Sequence, residues 1–234
     1  MTNPLGKKIA SPDKCSPKIL FSISRADQRL GMTHAFRGKD IWNLHEVIWI
    51  NKMGKVFHNE LSVVIDASSP CTVESKSLKL FVNSLIHKRF NSLSEVKKIL
   101  KRHLEKLTES KIQIKSIYQP WAEKGKNVVV ARKKITPPSG QKSKTVLYFD
   151  GFRSLCPITN PPDNAKIKIT GAFSNADQNA ISLMLGRYHK SEGYHERCTE
   201  EILSELLERN FNAKKVEAFF ERRGGIAIIP VRHK

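Results

Sequence analysis

The sequence predicts an α+β fold built from two tandem lobes. Hydrophobic residues make up 39% of the 234 positions, which is enough to bury a core. Strand and helix patterns follow one another twice in the same order. A turn-rich basic stretch without apolar periodicity, at 133–144, separates the two sets. We therefore place an N-terminal lobe at 1–135, a linker at 136–145 and a C-terminal lobe at 146–234.

The N-terminal lobe is predicted to contain strands and two amphipathic helices. β-Branched stretches predict strands at 63–65, 112–117 and 128–130. A Ser92-x-x-Glu95 capping box is predicted to begin the second helix. Apolar residues at helical spacing give each helix one buried face: Leu78, Phe81, Val82 and Leu85 in the first, and Val96, Ile99, Leu100, Leu104 and Leu107 in the second.

The C-terminal lobe repeats this order. Strands are predicted at 146–149 and 167–169, and a hairpin of 216–220 and 226–231 is predicted to turn at 222–225. Between them lie two helical faces, formed by Ile181, Met184, Leu185 and Tyr188 and by Cys198, Ile202, Leu203 and Leu206. The repeated order predicts mostly antiparallel sheets with helices on one face.

The chain is strongly basic. Lysine and arginine exceed aspartate and glutamate by 41 − 22 = 19, so nucleic-acid binding is an alternative that must be considered. The basic residues are dispersed along the chain, however, and no ribonucleoprotein motif or zinc-finger spacing is present. Charge alone does not decide between an RNA-binding surface and a solvated one.

The lack of long apolar runs and the scattered cysteines indicate the cellular compartment. No apolar run approaches the ~20 residues of a membrane helix, and the N-terminal stretch Met1 to Ser11 lacks the apolar core of a signal peptide. Four scattered cysteines, without a CxxC pair, argue against a disulfide framework and against a zinc site. We expect a cytoplasmic protein with free thiols, no membrane partner and no bound metal.

Cys156 and Asp163 supply the parts for covalent chemistry on an electrophile. The strand before Cys156 is predicted to end near Phe149, and a proline-rich loop follows, so the thiol should lie on a turn. A thiol attacks as the thiolate and needs a nearby proton acceptor or positive charge. Asp163, seven residues on, can place a carboxyl there. A lone cysteine is more often structural, and a lone aspartate after two prolines is more often a turn residue.

His195 and Glu196 are predicted to begin a helix. A histidine can deliver protons near neutral pH, and a carboxylate can accept hydrogen bonds from N–H donors of a ligand. Tyr194 is a candidate stacking surface. The structural alternatives are a surface histidine, a glutamate that complements the helix dipole and a core tyrosine.

Two basic segments can hold phosphate groups. Ser75 and Lys76 offer a hydroxyl, an ammonium and helix-end amides, and Arg223 with Gly224 offers a guanidinium and close backbone approach. Each segment is a weak signal alone, because basic turns are usually solvated. No GxGxxG or Walker loop is present, which excludes a Rossmann or P-loop cofactor site.

In order and spacing, these segments resemble the NADPH-dependent 7-cyano-7-deazaguanine reductases, the nitrile reductases of queuosine biosynthesis, a tRNA modification, in their longer two-lobed form. The similarity covers nearly the whole chain. It extends over Leu5-Gly6-Lys7, Arg25-Ala26-Asp27-Gln28-Arg29, Asp40-Ile41-Trp42-Asn43 with Glu46 and Trp49, the Glu74 to Asn83 segment and the C-terminal motifs.

The resemblance implies a tunnelling fold (T-fold), whose sheets associate into barrels, and a homodimer or higher homo-oligomer with active sites between lobes or subunits. It implies reduction of the nitrile of 7-cyano-7-deazaguanine to an aminomethyl group with NADPH, and no requirement for nucleic acid. Cys156 would form a covalent thioimide, and Asp163 would donate a proton. The other implied roles are substrate binding by Val73, Glu74, Ser75, His195 and Glu196, a catalytic role for His195, and NADPH binding by Ser75, Lys76, Arg223 and Gly224.

Two rival functions stay open. A relative of the family uses the same cysteine on a nitrile within tRNA and adds ammonia, which would explain the basic surface. The Glu74-Ser75-Lys76-Ser77-Leu78-Lys79 segment argues against it, because such an amidinotransferase needs no cofactor segment. A non-enzymatic RNA-binding module would leave the Cys156–Asp163 and His195–Glu196 pairs without a function.

Overall fold

The computed structural model describes residues 10–32, 34, 36–118, 144–158 and 160–234. These residues form an α+β fold with antiparallel strand pairs, as the sequence predicts. The predicted strand at 128–130, the predicted linker up to residue 143 and the Leu5-Gly6-Lys7 segment lie outside the described residues. All four cysteines are described and free, as predicted. No helix in the described ranges is long and apolar enough to cross a bilayer.

The chain divides into two compact units. The first takes its described residues from Met1–Leu30, Asp40–Gln119 and Arg222–Ala227. The second takes its described residues from Gly31–Lys39, Pro120–Glu221 and Ile228–Lys234. A long strand near the N-terminus and the last strand of the chain each contribute residues to both units.

The first unit contains three α-helices and six strands within the described residues. The helices are α1 (Arg25–Gln28), α2 (Ser75–Ser84) and α3 (Leu93–Thr108). The strands are β1 (Ser22–Ser24), β2 (Arg37–Asn51), β3 (Val56–Asp66), β4 (Cys71–Val73), β5 (Arg89–Phe90) and β6 (Ile112–Ser116). β1 pairs with β4 and β3 with β6, both antiparallel, whereas β2 pairs with β5 in parallel. Helices α2 and α3 and strands β3 and β6 confirm the prediction.

Strand β2 is the longest element that the sequence pattern did not predict. It runs for 15 residues, and its buried stretch 40–44 shows no alternation of exposed and buried positions. A buried ion pair explains part of this, because the Arg25 guanidinium lies 2.6 Å from the Asp40 carboxylate and both side chains are almost fully buried. In a sequence pattern a charged residue indicates a surface position. An ion pair with a residue elsewhere in the chain can nevertheless allow it to be buried.

Helix α3 does not begin with the predicted capping box. Ser92 is at the N-cap position, but its side chain makes no capping hydrogen bond. The Glu95 carboxylate instead accepts hydrogen bonds from the backbone and side-chain amides of Asn91, the residue before Ser92. The prediction was wrong because Asn91 offers this carboxylate two donors, whereas the capping box relies on the single backbone donor of Ser92.

Among its described residues, the second unit contains four strands that pair antiparallel in sequence order. They are β7 (Lys144–Leu155), β8 (Pro162–Ala172), β9 (Asn212–Phe220) and β10 (Ile226–His233). Helices α4 (Asn175–Gly186) and α5 (His195–Glu208) lie between β8 and β9 in the chain. The predicted helices and the predicted hairpin of this lobe are confirmed. Alternate residues of β8 and β9 form a core with α5, which includes Ala165, Ile167, Ile169, Val216, Ala218, Phe220, Cys198, Ile202 and Leu206.

Strand β7 continues past Phe149, where the sequence predicts its end, and reaches Leu155. Gly151 has a φ of +89°, and the register with β8 shifts between Asp150 and Phe152. An aspartate–glycine pair is a turn signal in sequences, but here the glycine occupies a β-bulge that lets the strand continue. The predicted strand end was therefore wrong, and the strand extends to the residue before the candidate thiol.

Candidate active site

Cys156 lies on the turn that joins β7 to β8, as predicted. Leu155 pairs with Pro162 at the ends of the two strands. The Cys156 N–H donates to the Pro161 carbonyl at 3.1 Å, and the Asn160 N–H donates to the Cys156 carbonyl at 3.0 Å. Asn160 has a φ of +58°, a conformation that asparagine adopts more readily than most residues. The backbone of Cys156 is therefore fixed, and its side chain is half-buried.

The end of β7 is joined to the segment that precedes α5. The Leu155 N–H donates to the Ser191 carbonyl at 2.8 Å, and the Gly193 N–H donates to the Leu155 carbonyl at 3.1 Å. His195 is the first residue of α5, two positions after Gly193. These bonds hold the N-terminus of α5 close to the end of β7, where the Cys156 turn begins.

Asp163 and His195 contact each other in the second unit. Asp163 is the second residue of β8, directly opposite Ser154, and 5% of its surface is exposed. It therefore lies in a strand and is not an ordinary loop residue. His195 Nε2 lies 3.2 Å from the Asp163 carboxylate. Sequence reasoning selected both residues without predicting this contact. A carboxylate in this position can orient the imidazole and support proton transfer through it.

Phe220 is a neighbour of His195 that sequence reasoning missed. It is the last residue of β9 and is buried. The two rings are stacked, with centroids 4.0 Å apart and planes 19° from parallel. The signal for Phe220 in the sequence is weak, because an aromatic residue at the end of a predicted strand is typical of any core.

Glu196, the second residue of α5, is 4% exposed and belongs to the buried face of that helix. An ordinary glutamate that complements a helix dipole is exposed to solvent, so its burial excludes the surface alternative. Tyr194 is at the N-cap position of α5, is half-buried, and makes no capping hydrogen bond with its side chain. Both residues are thus placed at the same helix end as His195.

Cys198 lies near this site but differs from Cys156 in chemistry. It is fully buried in α5, and burial raises its pKa to about 12. A Cβ atom placed on Gly193 would lie 3.1 Å from the Cys198 sulfur, so the segment before α5 packs closely on this thiol. Burial also raises the pKa of Cys15 and of Cys71. Cys198 is therefore a core thiol that stays protonated at neutral pH.

The substrate residues predicted in the first unit meet at the start of α2. Glu74 is the N-cap residue, and its two carboxylate oxygens accept hydrogen bonds from the N–H groups of Lys76 and Ser77, each at 2.7 Å. The Ser75 hydroxyl donates to the same carboxylate at 3.3 Å. Val73 and Glu74 are each 1% exposed. The Glu74 carboxylate thus caps the helix, and since a carboxylate has about four lone-pair positions it can accept one more donor.

This capping changes the prediction for phosphate contacts. The sequence suggested that helix-end amides would share in phosphate binding, but the amides of Lys76 and Ser77 are bonded to Glu74. That part of the prediction is wrong for these two amides, because the N-cap glutamate already accepts their hydrogen bonds. The Ser75 hydroxyl and the Lys76 ammonium, both on partly exposed residues, stay candidates for phosphate binding.

The Arg223–Gly224 turn packs on the same helix. Arg223 and Ile226, which flank the two glycines, exchange backbone hydrogen bonds of 2.8 and 3.1 Å. Gly224 and Gly225 have φ values of +53° and +87°. Two-residue hairpin turns of this kind need positive φ, which glycine adopts at little cost. A Cβ atom on Gly224 would lie 2.5 Å from Nζ of Lys79 in α2. The turn therefore lies against α2, one helical turn after Lys76.

Cationic side chains of the first unit lie close to the glycine turn. Lys79 and Arg223 lie at the glycine turn, and Lys76 lies one helical turn earlier in α2. A Cβ atom on Gly225 would clash with the Glu46 carboxylate, so an acidic side chain lies at this turn beside the cations. Sequence reasoning did not select Lys79. Arg222 is instead paired with Glu46 at 2.5 Å.

The predicted residues fall into two sets. Those proposed for thiol chemistry, Cys156, Asp163, His195 and Glu196, belong to the second unit, and Val73, Glu74, Ser75, Lys76, Arg223 and Gly224 belong to the first. In the part of the chain that the structure describes, no group of three or more His, Cys, Asp and Glu side chains could hold a metal ion.

Comparison with protein families identifies the class first. Residues 11–116 match the family described as nitrile reductase, 7-cyano-7-deazaguanine-reductase N-term. Residues 162–234 match the family described as QueF-like protein. The first description names a nitrile reductase, and the second match includes all the candidate residues of the second unit except Cys156.

Individual relatives define the family more closely. The chain is 29% identical to the NADPH-dependent 7-cyano-7-deazaguanine reductase of Desulfotalea psychrophila, over 98% of this chain and 91% of that protein. It is 29% identical to the reductase of the same name from Acinetobacter baumannii strain SDF, over 97% and 92%. For the reductase of Xanthomonas campestris pv. campestris strain B100 the identity is 30%, over 97% and 91%. The chain belongs to the family of NADPH-dependent 7-cyano-7-deazaguanine reductases, and the resemblance seen in the sequence is confirmed.

Proposed function

We propose that the protein reduces the nitrile group of 7-cyano-7-deazaguanine to the aminomethyl group of 7-aminomethyl-7-deazaguanine, with NADPH as reductant, in queuosine biosynthesis in the cytoplasm. Relatives with that reductase name align with nearly the whole chain. The observation that carries the proposal is the 3.2 Å contact between Asp163 and His195, next to the strand end that holds Cys156.

The first step joins Cys156 to the substrate. The sulfur adds to the nitrile carbon, and the proton lost by the thiol passes to the nitrogen through Asp163, so that the C≡N bond becomes the C=N bond of a thioimide. The turn fixes the backbone of Cys156, and strand pairing fixes Asp163. Both groups are therefore held in place before the substrate binds, which lowers the entropic cost of the reaction.

The remaining steps need two hydrides and two protons. Ser75, Lys76, Arg223 and Gly224 would hold NADPH, which would supply the hydrides. His195 gives one proton to the nitrogen as the thioimide carbon is reduced. The C–S bond then breaks to leave an iminium, which the second hydride converts to the amine, and the other proton restores the Cys156 thiol. Exclusion of water protects the iminium from hydrolysis.

Buried carboxylates suit recognition of the deazaguanine base. Its N–H donors need acceptors, and a site whose buried acceptor is left unpaired discriminates strongly against the wrong base. We assign this role to Glu196 and Glu74, with Val73 next to Glu74 in the chain and Tyr194 as a stacking surface. Glu74 would use the lone-pair position that the capping of α2 leaves open.

At the level of the fold, we propose two tandem T-fold lobes, 1–135 and 146–234, joined by a linker at 136–145 in a homodimer or higher homo-oligomer. The antiparallel pairs β3–β6, β7–β8 and β8–β9 support this architecture. Catalysis on a small base needs no nucleic acid, so the charge of +19 is not required for turnover.

NADPH oxidation on addition of 7-cyano-7-deazaguanine tests the proposal. We expect oxidation that depends on the nitrile and gives the amine. Cys156→Ala should bind the nitrile but form neither an adduct nor the amine, whereas Cys71→Ala, a matched change at another half-buried cysteine, should keep the activity. Equal rates for the parent and Cys156→Ala would overturn the mechanism. Ammonia-dependent conversion of nitrile-bearing tRNA without NADPH would instead support the amidinotransferase alternative.

A further inference from the structure

We propose that Phe220 is a positioning residue, which holds the His195 ring in the plane needed for its contact with Asp163. The inference rests on the proposed function, in which His195 delivers a proton to the substrate nitrogen. Its starting point is the stacked contact between the two rings, whose centroids are 4.0 Å apart and whose planes differ by 19°.

The strand register places Phe220 close enough to Asp163 for His195 to contact both. Ala165 of β8 pairs with Phe220 of β9 on one side and with Phe152 of β7 on the other. Asp163 is two residues before Ala165, so its side chain projects from the same face of β8. Phe220 and Asp163 are thus diagonal neighbours on that face, about 7–8 Å apart at the backbone, a distance that one imidazole ring can span.

The small side chain of Ala165 leaves space for two phenyl rings. Phe152 and Phe220 flank Ala165 and meet edge to face, with centroids 6.2 Å apart and planes at 86°. Phe152 also packs against Tyr188, with centroids 5.6 Å apart. Because Phe220 is 3% exposed, these contacts fix the plane of its ring. His195 therefore stacks on a rigid surface.

Two contacts together define the orientation of His195. Nε2 faces Asp163 at 3.2 Å, and the flat face of the imidazole lies on Phe220. The terminal torsion of a histidine is broad, so one hydrogen bond alone leaves a range of ring planes accessible. A flat aromatic partner selects one of these planes. Small displacements of a proton donor are costly in catalysis, so this selection affects turnover.

Core packing alone does not require an aromatic ring at this position. Phe220 belongs to the buried cluster of the second unit, and a leucine would fill much of the same volume. Leucine has no flat face, so it would preserve the core but release the plane of the His195 ring. Phe173 offers a matched control, because it is a phenylalanine of equal burial in the same cluster.

The test combines histidine NMR with turnover measurements. In protein with isotope-labelled histidine, the ring protons of His195 should be shifted upfield by Phe220, and His195→Gln identifies their signals. Phe220→Leu should abolish the shift and lower kcat about tenfold to a hundredfold, with KM for NADPH unchanged. Phe220→Tyr keeps the ring face and should retain the shift and most of the turnover. Phe173→Leu should leave the shift and kcat unchanged.

An unshifted His195 signal in the parent, or a shift that persists in Phe220→Leu, would overturn the inference. A loss of turnover in Phe173→Leu as large as in Phe220→Leu would also overturn it, because the effect would then belong to the core in general. If the parent shows the upfield shift but reduces no nitrile, the proposed function fails, while the contact by which Phe220 orients His195 is supported.

Discussion

The N-termini of α2 and α5 satisfy the same electrostatic requirement in different ways. Both helices begin with backbone N–H groups that have no partner within the helix. In α2 the Glu74 carboxylate accepts hydrogen bonds from two of them. In α5 the N-cap residue is Tyr194, whose side chain makes no capping bond. The first side chain of α5, His195, is instead directed to Asp163 of a neighbouring strand.

The capped start of α2 stabilises the fold. The start of α5 lacks a side-chain cap, and its first side chain belongs to the candidate active site. A side-chain cap typically contributes about 0.5–2 kcal/mol to stability, and α5 lacks that contribution. Functional sites often depart from the locally most stable choice. Changes at the start of α5 should therefore lower turnover most, whereas changes at the start of α2 should lower cofactor affinity or stability.

Apart from removal of the Cys156 thiol, the largest effect should come from the Asp163–His195 pair. Asp163→Asn and His195→Gln should each lower turnover about 10²–10⁴-fold, the range that general acid–base groups contribute. Asp163→Asn should slow formation of the thioimide, whereas His195→Gln should leave it and slow the reduction. Mass spectrometry of the intact protein with nitrile but without NADPH measures the first step, and amine formation measures the whole reaction.

Two controls make this result specific. Asp150→Asn removes a partly exposed carboxylate from β7, paired at 3.9 Å with Lys166, and should leave turnover unchanged. For the reduction of preformed thioimide, measured as a separate step, the Asp163→Asn, His195→Gln double variant should lose less than the product of the single losses, because the two side chains share one contact. Fully multiplicative losses would show that the two residues act independently.

Sequence patterns predicted the elements whose signal lies within one segment. The apolar spacing of α2 and α5 was sufficient for both helices. Gly224 and Gly225 predicted the hairpin turn, because a two-residue loop needs positive φ at both positions. The turn at Cys156 followed from the proline-rich stretch after it. The family resemblance, which covers nearly the whole chain, supplied the candidate residues.

Sequence patterns did not predict features that depend on a residue distant in the chain. The burial of Asp40 in β2 depends on Arg25, which belongs to another element. The contact of Asp163 with His195 depends on strand register and on hydrogen bonds that hold the segment before α5, and neither has a local signature. The stacking of Phe220 on His195 has the same origin. These features arise from tertiary structure, so a single sequence does not reveal them.

Cys198 extends the comparison to a second thiol in the first turns of α5. A helix N-terminus lowers the pKa of a cysteine, but burial outweighs it and raises the pKa from 9.0 to about 12. At neutral pH its thiolate should therefore be roughly a thousandfold rarer than for an ordinary thiol. Iodoacetamide at pH 8 should label Cys156 and spare Cys198 in the folded protein, and label both after denaturation.

The same shift has a consequence for stability. The folded protein holds the Cys198 proton more tightly than the unfolded chain, so the raised pKa contributes to the free energy of unfolding. That contribution is complete below about pH 9 and is lost as the pH rises toward 12. Cys198→Ala should weaken the fall in unfolding free energy over that range. Rapid labelling of Cys198 at pH 8, at a rate close to that of the half-buried Cys71, would contradict the assignment of Cys198 to the core.

A smaller effect is expected at the residues of the first unit that we propose to bind the cofactor. Lys76→Ala and Arg223→Ala should each weaken NADPH binding roughly tenfold to a hundredfold, because a charged phosphate contact is typically worth about 1.5–3 kcal/mol. Direct titration with NADPH measures this. Formation of the covalent adduct should be largely unaffected. Lys101→Ala, at an exposed lysine of α3, is the control, and parent-like binding by both variants would mean that these cations are ordinary solvated charges.

The smallest effect, on stability, compares the caps of α2 and α3. Glu74→Gln replaces one of two accepting oxygens with a donor that faces a backbone N–H, and it should lower the unfolding free energy by about 1–3 kcal/mol. Ser92→Ala removes a side chain that makes no capping bond, and it should change that energy by less than about 0.5 kcal/mol. Urea unfolding measures both values. Hydrogen exchange provides a local check, since one of the two amides, Lys76 or Ser77, loses its acceptor and should exchange faster in Glu74→Gln alone. If the two variants lose equal stability, the carboxylate at the start of α2 contributes no more than an unbonded serine, and the contrast between the helix ends disappears.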